Sequence, residues 1–193
     1  MKKVVIVEDV KNIREGLKTL IDTSSIFRCI GTFENFEKFE KNLKNLNPDI
    51  ILIDLDLPGI SGIEGIEKLK SISEKFIIIV LTLHEENDRI FDALSAGASN
   101  YLVKNTPSEK IINILEDAAN GKVLMTSYIA RKTIDYFKKK NSLKKLDTNE
   151  INILNKITEG NSLVAIENSL KISSTEIKSN FKNIYDKLSE LEK

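Results

Sequence analysis

The first 120 residues predict a doubly wound α/β domain on a five-stranded parallel sheet, and the rest predicts a small all-helical domain. Three observations carry this. Short β-branched apolar runs alternate with helix-period stretches five times over. Strand signals stop after Leu146. The chain of 193 residues has room for one domain of ordinary size plus a small one.

Val4-Val5-Ile6-Val7, Ile50-Ile51-Leu52-Ile53 and Phe76-Ile77-Ile78-Ile79-Val80-Leu81 are continuous, short and apolar. Such runs are strands buried on both faces of a parallel sheet. Weaker strand signals lie at Phe27 to Phe33 and at Tyr101-Leu102-Val103. Helix periodicity fills the intervals, at Ile13 to Ile21, Phe36 to Leu46, Ile63 to Ile72, Ile90 to Ala96 and Ile111 to Ala119. Gly121 closes the last of these. A further amphipathic helix is expected from about Ser127 to Phe137, followed by the polar tract Lys138 to Ser142 as a linker. The expected division is therefore 1–122, a linker helix and linker at 123–145, and a helical domain at 146–193.

Composition excludes several classes. At 41% apolar and 30% charged residues, the chain reads as a soluble globular protein. No apolar run approaches the roughly 20 residues that a membrane span needs. A single cysteine, Cys29, excludes an internal disulfide framework and fits a cytoplasmic location. The formal net charge of zero favours no class of partner.

Ligands of open α/β sheets bind beyond the carboxyl ends of the strands. Those ends carry Glu8 and Asp9, then Asp54, then Thr82, then Lys104. Three carboxylates brought together repel one another and call for a hard divalent cation, for which Mg2+ is suited. With the cation present, Asp54 can attack a phosphoryl group as a carboxylate nucleophile. Thr82 and Lys104 can then stabilise its oxygens. A lone acidic pair after a strand is more often a helix cap or a solvated loop; the recurrence at successive strand ends argues for the site.

The set Glu8-Asp9, Asp54 with Pro58-Gly59 and Gly62, Leu81-Thr82, and Gly97 to Lys104 resembles a receiver domain, over residues 1 to 122. The resemblance implies the flavodoxin-like fold and phosphotransfer from a sensor histidine kinase to Asp54. It also implies metal ligation by Asp9, Asp54 and the Asp56 backbone carbonyl, with Glu8 acting through water. A switch is implied in which Thr82 turns toward the phosphate and Tyr101 packs inward; plain packing is the competing reading for Tyr101. Asp56 and His84 form a second question, since they either tune the lifetime of the phosphate or belong to solvated loops.

In the last third, Asp147-Thr148-Asn149-Glu150 has the form of a capping box, opening a helix with Ile151, Leu154 and Ile157 on one face. Ser162 is placed to cap a short helix bearing Leu163, Ile166 and Leu170. Ser173-Ser174-Thr175-Glu176 opens a third helix bearing Ile177, Phe181, Ile184, Tyr185 and Leu188. This order is that of a helix-turn-helix. The spacing over 146–188 resembles the LuxR-type output domain of NarL/FixJ response regulators. That resemblance implies DNA binding, with Lys171, Ser174, Thr175, Lys178, Ser179 and Lys182 as contact residues, and a homodimer formed on phosphorylation.

From Asn141 onward, eight bases meet eight acids, an unusual balance for a DNA-binding domain. Glu176 is either tied back to Ser173 or opposes DNA at the helix start. The alternative function is a receiver-controlled interaction or dimerisation module. A haloacid-dehalogenase-type phosphatase, suggested by Asp54-Leu55-Asp56, is disfavoured by Pro58 and by the Glu8-Asp9 pair, and no enzyme activity is expected.

Overall fold

The computed structural model describes residues 1–83 and 88–191, in two compact units, Met1–Asn120 and Gly121–Lys193. His84 lies outside the described residues. In the first unit β1 (Lys2–Val7), β2 (Phe27–Phe33), β3 (Ile50–Asp54), β4 (Ile77–Thr82) and β5 (Asn100–Val103) form one sheet in the order β2-β1-β3-β4-β5. All four pairings are parallel. Parallel neighbours require crossovers, supplied by α1 (Lys11–Asp22), α2 (Phe36–Leu46), α3 (Gly62–Ile72) and α4 (Asp88–Ser95), with α5 (Ser108–Ala119) after the last strand.

Successive residues of a strand face opposite ways, and both faces here are apolar. Val4, Ile6, Ile50, Leu52, Ile79 and Leu81 pack with Leu17 and Ile21 of α1 and Ile111 and Leu115 of α5 in one core. The alternate set, including Val5, Val7, Ile51, Ile53 and Val80, is also buried. The continuous apolar runs of the sequence are this two-sided burial. Each fully buried Val, Ile or Leu contributes about 1.5–3 kcal/mol, which sets the strand register firmly. In that register Asp54 stands opposite Leu81, and Thr82 opposite Val103.

The second unit comprises α6 (Ser127–Lys139), a 3-10 turn at Leu143–Lys145, α7 (Thr148–Thr158), α8 (Leu163–Leu170) and α9 (Ser174–Glu190). Residues 123–145, expected to be an amphipathic linker helix and a polar linker, fall within this unit. Ile129, Ala130, Thr133 and Phe137 of α6 are buried, and Ser127 Oγ donates to Ile157 O at 2.7 Å. Tyr185 Oη on α9 donates to Leu124 O. The apolar face of Ile129, Ala130 and Phe137 needs a partner, and α7 supplies it.

The expected α9 core residues are all buried. On α7 the buried apolar residues are Ile153, Leu154 and Ile157, so Ile153 takes the place expected of Ile151. On α8 only Ile166 is buried, whereas Leu163 is exposed. Among the described residues no helix is long and apolar enough to cross a membrane.

Candidate functional site

Glu8 and Asp9 follow β1, Asp54 ends β3, Thr82 ends β4 and Lys104 follows β5. Glu8, Asp54, Thr82 and the Lys104 side chain are buried, at 0%, 2%, 3% and 8% exposure, while Asp9 is exposed. One ligand oxygen from each of Glu8, Asp9 and Asp54 lies within 4.8 Å of the others. The expected convergence at one sheet edge is therefore present in the geometry.

Lys104 joins the cluster. Its Nζ donates to Glu8 Oε1 at 3.1 Å and lies 2.9 Å from both Glu8 Oε2 and Asp54 Oδ2. Its backbone N–H donates to Thr82 O at 2.7 Å, which fixes Lys104, just past β5, beside the end of β4. Two buried acceptors are left over. Glu8 Oε2 has the charge of Lys104 nearby but no hydrogen bond, and Asp54 Oδ1 has no hydrogen-bond partner among the described residues. A buried oxygen with no donor is costly, and a hard cation or a phosphoryl group is what such an oxygen can accept.

Burial raises the Glu8 carboxyl above its ordinary value; the Lys104 hydrogen bond opposes this and the Asp54 charge adds to it. Burial by itself pulls Lys104 down, but hydrogen bonds and charge from Glu8 and Asp54 outweigh it and hold the ammonium above its ordinary value. The site is thus a strained set of carboxylates held by one internal cation. Its donors are all hard oxygens, the set that suits Mg2+.

Asp56 takes a different course from the other carboxylates. Its side chain pairs with Arg89 at the start of α4, and Arg89 Nη2 also donates to Leu55 O at 2.7 Å. Its carboxylate stays outside the cluster, so its expected metal contact is left to the backbone carbonyl. Tyr101 is buried at 3% exposure in β5, a placement that the switch and plain-packing readings share.

Three supporting residues carried no local signal in the sequence. Arg14 Nη1 on α1 donates to Glu8 O at 2.6 Å and Asp9 O at 3.0 Å, fixing the β1–α1 loop. Arg89 clamps the β3–α3 loop, and Glu37 Oε1 accepts from Ile60 N at 3.0 Å in the same loop. Arg89 and Glu37 act across 34 and 23 residues, and Arg14 acts back across the β1–α1 loop, contacts that periodicity and spacing do not reveal.

In the second unit, Asp147 and Glu150 form the expected capping box on α7. Glu150 is fully buried and also accepts from Lys187 Nζ, at 2.7 and 2.6 Å. Lys187 therefore ties α9 to α7. Ser173 Oγ accepts from Glu176 N at 3.2 Å, but among the described residues no bond returns from Ser173 N to the Glu176 carboxylate. Glu176 is exposed at the helix start. Lys171, Thr175, Ser179 and Lys182 are exposed, with Ser174 and Lys178 half-buried.

Comparison with known proteins agrees with both units. Residues 4–116 match the response regulator receiver domain. The chain is 35% identical over 192 residues to the transcriptional regulatory protein YdfI of Bacillus subtilis, covering 97% of this chain and 90% of that one. It is 27% identical to the nitrate/nitrite response regulator protein NarL of Escherichia coli K12, over 96% of this chain and 88% of the relative. In fold it is similar to the RcsB response regulator of Salmonella typhimurium, with TM-score 0.60 and 24% identity over 97% of this chain and 93% of that one. The chain belongs to the response regulators of the NarL/FixJ type, a receiver domain followed by a helical output region, whose named relatives are transcriptional regulators.

Proposed function

We propose that Asp54 is the phosphoacceptor of a sensor histidine kinase in the cytoplasm, and that the helical unit binds DNA in response. The observation that carries the proposal is Asp54 itself: buried, with Oδ2 on Lys104 and Oδ1 without a donor among the described residues. In the transfer, Asp54 Oδ1 forms the new P–O bond as the P–N bond to the donor imidazole breaks and its electron pair returns to nitrogen. Glu8, Asp9, Asp54 and the Asp56 carbonyl would hold Mg2+, which when bound offsets charge on the transferring oxygens. Lys104 keeps Asp54 oriented and meets the phosphoryl charge. Thr82, at the end of the neighbouring strand, hydrogen-bonds a phosphoryl oxygen, and Tyr101 follows it as the switch.

The output contacts proposed are Lys171, Ser174, Thr175, Lys178, Ser179 and Lys182 in the major groove, presented by a phosphorylation-dependent homodimer. Exposed Glu176 favours the second reading, in which the helices contact protein instead. The test is intact-mass spectrometry after treatment with acetyl phosphate and Mg2+, followed by gel shift against genomic fragments. Wild type is expected to gain one phosphoryl group and Asp54→Ala none. Equal labelling of the two would overturn the phosphoacceptor assignment. Failure to shift any fragment in either state would favour the protein-contact reading.

A further inference from the structure

The structural boundary at residue 120 changes the charge balance of the output unit. Residues 1–120 carry fifteen Lys and Arg against twenty Asp and Glu, a net of −5; residues 121–193 carry fourteen against nine, a net of +5. Several of these lysines are used internally. Lys187 is taken by buried Glu150, and Lys156 pairs with Glu159. By contrast, Lys138, Lys139, Lys144 and Lys145 are exposed and have no ion-pair partner among the described residues. Lys140 beside them is exposed too, its Nζ 5.4 Å from the centre of the Tyr136 ring. No acid lies between Asp135 and Asp147.

These charges sit on ordered backbone. Asn141 takes the left-handed conformation at φ 52°, Ser142 N donates to Phe137 O at 2.8 Å, and Lys145 N donates to Ser142 O at 2.9 Å. The negative end of the α6 dipole gives Lys138 and Lys139 a local purpose. It gives none to Lys144 and Lys145, which lie beyond the turn. Five like charges in eight residues repel one another, and the complement they fit is a polyanion.

We propose that the 138–145 lysine patch is a second nucleic-acid contact, seated on the phosphate backbone of the same duplex that α9 enters. The proposal rests on the DNA-binding reading of the helical unit and adds a site to it. The chain runs from the patch through Leu146 and Asp147 directly into α7, where Glu150 is bonded to Lys187 near the C-terminal end of α9. The patch therefore belongs with the end of α9 opposite to Ser174 and Thr175. With seventeen residues, α9 is about 25 Å long, roughly twice the width of the major groove. Groups beside its far end meet the backbone that borders the groove. Duplex DNA presents one negative charge per about 1.7 Å there.

The test is fluorescence anisotropy of the full chain, treated with acetyl phosphate and Mg2+, against a labelled mixed-sequence duplex between about 50 and 200 mM salt. The variants are the combined Lys138→Gln, Lys139→Gln, Lys144→Gln, Lys145→Gln and the corresponding four-fold Lys→Arg. Each phosphate contact contributes about 0.9 to the slope of log K against log salt. The Gln variant is expected to lower that slope by about 3–4 with unchanged circular dichroism, and the Arg variant to keep it. Wild-type binding with the same slope in the Gln variant would overturn the patch alone. Absence of wild-type binding even at low salt would overturn the DNA-binding reading and the patch with it.

Discussion

At the scale of single residues, Lys104 decides the stability of the site. It is the internal counter-charge of two buried carboxylates, Glu8 and Asp54. Removing one partner of a buried pair leaves an uncompensated charge, at a cost of about 3–5 kcal/mol. Lys104→Ala is therefore expected to lower the melting temperature sharply in chelator, with part of the loss recovered on adding Mg2+; a variant as stable as wild type would contradict this. Glu8 behaves in the opposite sense. Its carboxyl is raised in the folded state, chiefly by burial, so the stability linked to its protonated form is present below the ordinary carboxylate value. That stability is lost as pH rises through the raised folded value. Above that folded value the ionised Glu8 is a net cost. Glu8→Gln should raise the melting temperature of the metal-free protein, by about 2–4 °C per kcal/mol gained, while weakening Mg2+ binding in titration calorimetry. A Gln variant less stable than wild type at pH 7, or one binding Mg2+ equally well, would show that Glu8 does not serve the cation.

At the scale of elements, the loop from β3 to α3 carries the site's precision. Gly59 has φ 78°, and Gly62 lies so close to the strand end that a Cβ there would stand 2.1 Å from Asp54 O. That neighbour is backbone and cannot yield without moving the nucleophile. Gly62→Ala should cost about 1–3 kcal/mol by overpacking and slow labelling of Asp54 by acetyl phosphate; normal labelling with normal stability would refute the close approach. In the output unit the corresponding joint is Glu150 with Lys187, between α7 and α9. Lys187→Met leaves Glu150 buried with only its capping bond, a loss of about 1–3 kcal/mol. If the joint is structural, urea denaturation should show that loss and the salt slope of DNA binding should stay unchanged. A reduced slope with unaltered stability would instead make Lys187 a DNA contact.

At the scale of the whole molecule, charge is segregated between the units, −5 in residues 1–120 and +5 in residues 121–193. A ligand that binds one folded unit stabilises that unit by mass action. Differential scanning calorimetry with increasing Mg2+ should raise the transition of the first unit and leave that of the helical unit in place; equal shifts in both would contradict a cation site confined to the sheet edge.

The strands with two-sided burial were legible in the sequence because an apolar run of that length has few other homes. The weaker signal at Phe27 to Phe33 proved to be edge strand β2 over those same residues; α2 matches its periodic stretch, α1, α3, α5 and α6 extend one to three residues past theirs, and α4 starts two residues earlier and ends one residue earlier. The residues at the strand ends could be named in advance because topology alone fixes where they must lie. What distance in sequence conceals was not legible: the grips of Arg89 and Glu37 on the β3–α3 loop, the choice of Ile153 over Ile151 and the membership of α6 in the second unit. By itself the sequence determined the parallel sheet and its acidic edge, since burial and the alternation of strands with helices are written in local patterns. Only the tertiary structure decided which lysines neutralise buried acids and which remain on the surface, because that choice depends on contacts between segments far apart in the chain.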